Sequence, residues 1–272
     1  MDEIHDVIRA HRFELVNKAG MPQAFLNSTE HGGELWLCDN NGKIRVRINV
    51  NETGSSIELV DKEHKIGLAM GVNESLTGIA LNDKDGKNRI LLEVEEDGPG
   101  LGMKDKNGNV RALLSQFDGL VGLTLSDKDG KNRIITQVEE KGSVLGLKDK
   151  NSKVRALLSQ FDDLAGLELS DNDGKRNTLL IVGEGKSELM MNDNENKNRI
   201  LLSEEQGDMP QITITDKDGA DRIVLAESDG TPAFIINDKD SNPRIMLSEN
   251  GNKPRFVIKD NDGNNIVKFP EN

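Results

Sequence analysis

The stretch Asp83-Lys84-Asp85-Gly86-Lys87-Asn88-Arg89-Ile90 decides the fold. Asp, any residue, Asp or Asn, then Gly is a chain-reversal signal, because Gly takes the positive φ that a tight turn needs. The signal returns every 22 residues, at Asp39, Asp61, Asp105, Asp127, Asp149, Asp171 and Asp193. One residue is then inserted within Glu204–Pro210, and the signal resumes at Asp216, Asp238 and Asp260. Asn17 holds the same register at the front, which makes twelve copies. A sustained short period of this kind overrides the usual length-based estimate of domain number.

Working outward from the turn, apolar residues lie four and two positions before each turn Asp, as in Leu35/Leu37, Ile57/Leu59 and Ile79/Leu81. They lie again seven and nine positions after it, as in Val46/Ile48, Leu68/Met70 and Ile90/Leu92. Period-two alternation marks strands with one buried face and excludes helix. An Arg precedes the second pair in eight of the twelve copies, among them Arg45, Arg89, Arg111 and Arg244. A second turn signal, such as Glu96-Asp97-Gly98 or Glu140-Lys141-Gly142, then closes the unit. Each copy therefore reads as strand, tight turn, strand, turn, and the fold class is all-β, built of tandem 22-residue β-hairpins. Where the turn Gly is absent the position holds His64, Ser152, Asn196 or Ser241, never a β-branched residue. That restriction fits a left-handed backbone.

The expected organisation is a cap or lead-in over 1–12 and a single elongated repeat array over 13–272. Ile4, Val7 and Ile8 have helical spacing, which suits a short capping helix, with a lead-in strand as the other reading. Val110–Asp118 returns almost unchanged as Val154–Asp162, the mark of a duplicated two-copy block.

The second strand carries a second apolar row, including Leu91, Leu113, Ile135 and Leu157, between its two inward positions. A sheet with one solvated face would be polar there. Both faces of that strand are therefore expected to be covered. Either the copies coil into a solenoid with its own interior, or several chains wrap around one another. Hairpin-like turns favour antiparallel neighbours, while a parallel solenoid would stack the turn Asp residues about 4.8 Å apart and need Arg or Lys to neutralise them.

Composition narrows the function. The 35 Lys and Arg against 48 Asp and Glu leave a net charge of -13, which repels nucleic acid phosphates and anionic membranes. Hydrophobic residues are 35% of the chain, aromatics 3%, and there is no Tyr, so any core is built from Leu, Ile, Val, Met and Ala. Cys38 is the single cysteine, so no intramolecular disulfide forms. Met1–His5 lacks the basic start of a secretory signal, and no apolar run is long enough to span a membrane. The expectation is synthesis in the cytoplasm without a signal peptide, with a place in a viral or extracellular assembly open, and no membrane insertion.

No catalytic, cofactor-binding or metal-binding residue is assigned. Asp-x-Asp-Gly is shared with calcium loops, but Arg and an aliphatic residue follow where an EF-hand needs further oxygen ligands. The turn reading is favoured over stacked calcium sites. The Arg ladder reads as pairing with neighbouring acids rather than as an anion stripe. Gly98-Pro99-Gly100-Leu101-Gly102 is a turn and strand, not a phosphate loop, because no helix follows. His5, His11, His31 and His64 share no ligand spacing. Trp36 lies on the outer side of its strand as a contact-surface candidate, and Cys38 is placed on or near the sheet surface.

The register beginning Ile8-Arg9-Ala10-His11-Arg12-Phe13-Glu14-Leu15-Val16, followed by Asp-x-x-Gly-x-x-Arg repeats, resembles a group of uncharacterised bacterial repeat proteins. That resemblance implies no activity. The layout is similar in style to the trimeric β-structured shafts of viral and phage fibres. Choline- and glucan-binding hairpin repeats share the period but use aromatic cages, which one Trp and no Tyr do not supply. The reading is a structural shaft, spacer or scaffold without catalysis, self-associating as a homotrimer. The rival is a binding module for a carbohydrate, a protein partner or calcium.

Overall fold

Tight hairpin turns at the Asp-x-x-Gly signals and at the second-turn signals alternate with strands along the chain. A computed structural model describes residues 9–205, 210–228, 230–250 and 253–270. Ile4, Val7, Ile8 and His5 lie outside the described residues, as do parts of the second turns at 206–209, 229 and 251–252. The described residues form 24 strands and no helix, so no helix is long and apolar enough to cross a membrane.

The chain divides into two units, Met1–Asn132 and Arg133–Asn272. In the first, the strands from Arg12–Val16 to Leu120–Ser126 form a meander in which each strand pairs antiparallel with its sequence neighbours. The second repeats the arrangement from Asn132–Glu139 to Asn265–Phe269. All-β tandem hairpins are thus what the 22-residue period encodes. The parallel stack considered from sequence is replaced by antiparallel pairing, because each connection is too short to carry the chain back to the start of a parallel strand.

The register fixes which residues share a face. On one face a central row advances by 11 residues per strand: Phe25, Trp36, Arg47, Glu58, Ala69, Ala80, then Leu91. The Arg ladder lies on this side. The opposite, aliphatic face carries the apolar pairs as continuous rows, for example Leu35–Ile48–Ile57–Met70–Ile79–Leu92 and Leu37–Val46–Leu59–Leu68–Leu81–Ile90.

The two faces are not equally protected. The buried residues among those described are on the Arg-bearing face: Val60, Gly146, Thr213, Asn237 and Val257, with Val257 fully enclosed. On the aliphatic face Leu59 is 44% exposed, Met103 45%, Leu114 46% and Leu158 52%. The sequence pattern assigned these aliphatic pairs to the inward side. Within one chain they are the open side, because each unit supplies one sheet layer and nothing in it lies over that face. The second apolar row, expected to need separate cover, is the better protected of the two. Glycines in that row leave room for their neighbours to lean across, and a Cβ placed on Gly146 would sit 3.8 Å from Leu157 Cδ1.

Candidate functional site

The turns are the most regular polar feature. Asp83 N–H donates to the Lys87 carbonyl at 2.9 Å and Gly86 N–H donates to the Asp83 carbonyl at 2.9 Å. Gly86 takes φ +77°, closing a three-residue loop of the type I plus left-handed-residue kind. The Asp83 Oδ1 accepts N–H bonds from Asp85 at 2.8 Å and Lys87 at 3.1 Å. The same pair of bonds recurs at Asp39, Asp105, Asp149 and Asp238. His64, Ser152, Asn196 and Ser241 hold φ between 60° and 67°, so the substitutions at the glycine position keep the turn.

The second carboxylate oxygen faces the Arg six residues on. Arg89 donates to Asp83 Oδ2 and to the backbone carbonyl of Asp105, the turn residue of the next copy. Arg45 joins Asp39 to the Asp61 carbonyl and Arg244 joins Asp238 to the Asp260 carbonyl in the same way. Asn82 reaches in the other direction, its Nδ2 donating to the Ile66 carbonyl at 2.9 Å, and Asn237 does so to the Asp221 carbonyl at 3.0 Å. Consecutive repeats are therefore stitched at their turn ends by side chains as well as by the strand ladder.

This geometry places the turn Asp residues in structural work. The Lys87 N–H, with Arg89 and the Asp85 N–H adding to it against some burial, holds the Asp83 carboxyl below its usual range. The Asn242 N–H leads the set of donors that brings Asp238 down to about 2. Where both oxygens already accept from N–H groups and a guanidinium, they are poor ligands for a calcium ion, which needs six to eight free oxygens. No group of three or more His, Cys, Asp or Glu side chains among the described residues is arranged to hold a metal ion.

The remaining candidates separate. Gly98–Lys104 is a strand. Trp36 is half-buried on the Arg-bearing face, with its ring edge-on to Phe25 at 6.1 Å, while the Arg12 guanidinium lies 4.2 Å from the Phe25 centroid. The Trp36 indole N–H is enclosed without a hydrogen-bond partner. Cys38 is half-buried, and burial followed by the neighbouring Asp39 charge raises its thiol pKa, which disfavours the reactive thiolate.

The feature that the period alone did not single out is on the aliphatic face of the second unit. Residues between Leu180 and Pro254 enclose a groove of about 1010 Å³ with a floor of Leu189, Leu202, Ile212, Leu225, Phe234 and Leu247.

No protein-family model matches the sequence, and no curated protein is similar to it in sequence. Among solved structures, the Photorhabdus luminescens Tc holotoxin pore carrying a TccC3 mutation aligns at 7% identity and a TM-score of 0.21, over 94% of this chain and 14% of that one. The TcdB2–TccC3–Cdc42 complex aligns at 8% identity and the same TM-score of 0.21, over 94% and 18%. The chain spans less than a fifth of the length of either, and similarity at that level says nothing of its role.

Proposed function

We propose that this chain is a structural shaft, spacer or scaffold without catalysis that self-associates through its aliphatic face, as a homotrimer. The repeat β-structure fits a structural role. The observation that carries the self-association is the open pair of aliphatic rows, which continues strand after strand with few polar interruptions. On that face Leu59, Met103, Leu114, Leu147, Leu158 and Leu169 all stand open to solvent. Large exposed apolar patches on soluble chains mark association surfaces.

Light scattering on the full chain at micromolar concentration, with and without calcium, tests this. Three chain masses, unchanged by calcium, is the expected result. A single chain mass would overturn self-association, and a calcium-dependent mass or melting temperature would move the turns from structural to binding work.

A further inference from the structure

The aliphatic face has a third row, at the end of the strands that runs into the second turns, and it changes character once along the chain. On the second strand of each hairpin the row holds Val50, Val72, Val94, Gln116, Val138 and Gln160, then Val182. At the same register it then becomes Glu204, Glu227 and Glu249. Glu227 stands opposite Pro232 and Glu249 opposite Pro254, as Val94 stands opposite Pro99 in the first unit. The three carboxylates are thus confined to the copies that form the groove, and they stand along one side of its apolar floor. No Lys or Arg is among the described residues lining it. The row admits Gln at 116 and 160, but a charge enters it only in these three consecutive copies, and a local break in an otherwise regular pattern is where a functional site is expected.

We propose that this groove is a docking surface for a basic amphipathic α-helix of another protein. The floor Leu202–Ile212–Leu225–Phe234–Leu247 supplies apolar cover for one stripe of such a helix, and the glutamates supply the charge that selects it. Spacing fixes the form of the partner. Successive glutamates are two strands apart, about 9.6 Å along the row. Seven residues of α-helix rise about 10.5 Å and return to the same face, so Lys or Arg at every seventh position meets each carboxylate in turn. An extended strand covers that distance in three residues, which puts alternate cations on the wrong side. Charge also decides against two other occupants. The first eight residues of this chain contain Asp2, Glu3 and Asp6 with no Lys or Arg, and a second copy seated on its own equivalent stretch would set Glu204, Glu227 and Glu249 against like charges. The acidic stretch thereby keeps these copies out of the self-associating face, whose third row is uncharged from Ser28 to Ser187.

The test uses the full chain and a fluorescein-labelled 21-residue helical peptide with Leu at heptad core positions and one Lys per heptad, followed by fluorescence anisotropy. A scrambled peptide of equal composition, and one with Glu replacing Lys, serve as controls. The expected result is binding by the basic helix alone, with helicity rising by circular dichroism and affinity falling with added salt. The triple variant E204Q/E227Q/E249Q should bind about tenfold more weakly, the effect of three surface ion pairs. L225D, in the floor, should abolish binding. The solution mass of each variant is read in the same samples, so a failure to self-associate is distinguishable from a failure to bind. Equal binding of the scrambled peptide, or no effect of the triple variant, would overturn the proposal.

Discussion

Replacing Gly32 by Ala tests the hairpin geometry at its tightest point. Gly32 follows the two-residue loop Glu30-His31 and has φ +144°, a conformation open in practice to glycine alone. A Cβ built there would stand 1.9 Å from the Val50 carbonyl oxygen on the neighbouring strand, so the backbone itself must give way. Holding a non-glycine residue at such a φ costs about 1–3 kcal/mol. Forcing a methyl into occupied space costs about 1–3 kcal/mol more. The sum, about 2–6 kcal/mol, lowers a melting midpoint by on the order of 10 °C in a unit of this size. Gly130 provides the control, with φ +77° and nothing within 4 Å of a built Cβ. There Ala costs only the left-handed backbone term of about 1–2 kcal/mol, and Asn, which the chain itself uses at Asn196, costs less. Thermal unfolding followed by circular dichroism gives the midpoints. Because each repeat contacts only its neighbours, amide exchange should quicken over Thr29–Asn51 and leave the second unit unchanged. A Gly32→Ala midpoint equal to that of Gly130→Ala would refute the close approach on which this reasoning rests.

Three further outcomes are expected. The turn carboxyls have folded pKa values below their unfolded value of about 3.8, so they stabilise the fold above that value and the stability is lost as pH falls through the folded values. An acid titration followed by circular dichroism should therefore show the loss between about pH 4 and the value of about 2 at Asp238, and a chain equally stable at pH 5 and pH 2 would contradict it. Val257→Ala should cost about 2 kcal/mol, because its side chain is fully enclosed, against much less for Leu114→Ala in the free monomer. The double variant L59D/L81D, at positions 44% and 38% exposed in one chain, should lower the solution mass to one chain without loss of β-structure. Unfolding in its place would mean that these leucines are needed within the chain.

Much of the architecture was legible in the residues themselves. The Asp-x-Asp-Gly-x-x-Arg signal and the period-two pairs on either side are local chemistry. Gly86 takes the positive φ, Asp83 accepts the two N–H groups of its own loop, and the alternation of Leu35 with Glu34 and Trp36 can only be a strand. The substitutions at His64, Ser152, Asn196 and Ser241 were readable as left-handed positions for the same reason. The Arg ladder was readable as ion pairing, although its second partner was not. Arg89 reaches the Asp105 carbonyl 16 residues away, a contact that depends on how two hairpins are offset.

The sequence by itself determined the unit: its length, its two turns, and which residues share a face, since a strand has only two faces and the turns set the register. Only the tertiary structure decided which face is covered. Period-two alternation is the same whether the aliphatic row points into a core or out of a single layer, so Leu59 and Leu114 read as inward and stand open. The groove between Leu180 and Pro254 belongs to that level too. Glu204, Glu227 and Glu249 are unremarkable acids in a chain with 48 of them, and they become one row only when antiparallel pairing brings residues more than 20 positions apart onto the same edge of a sheet.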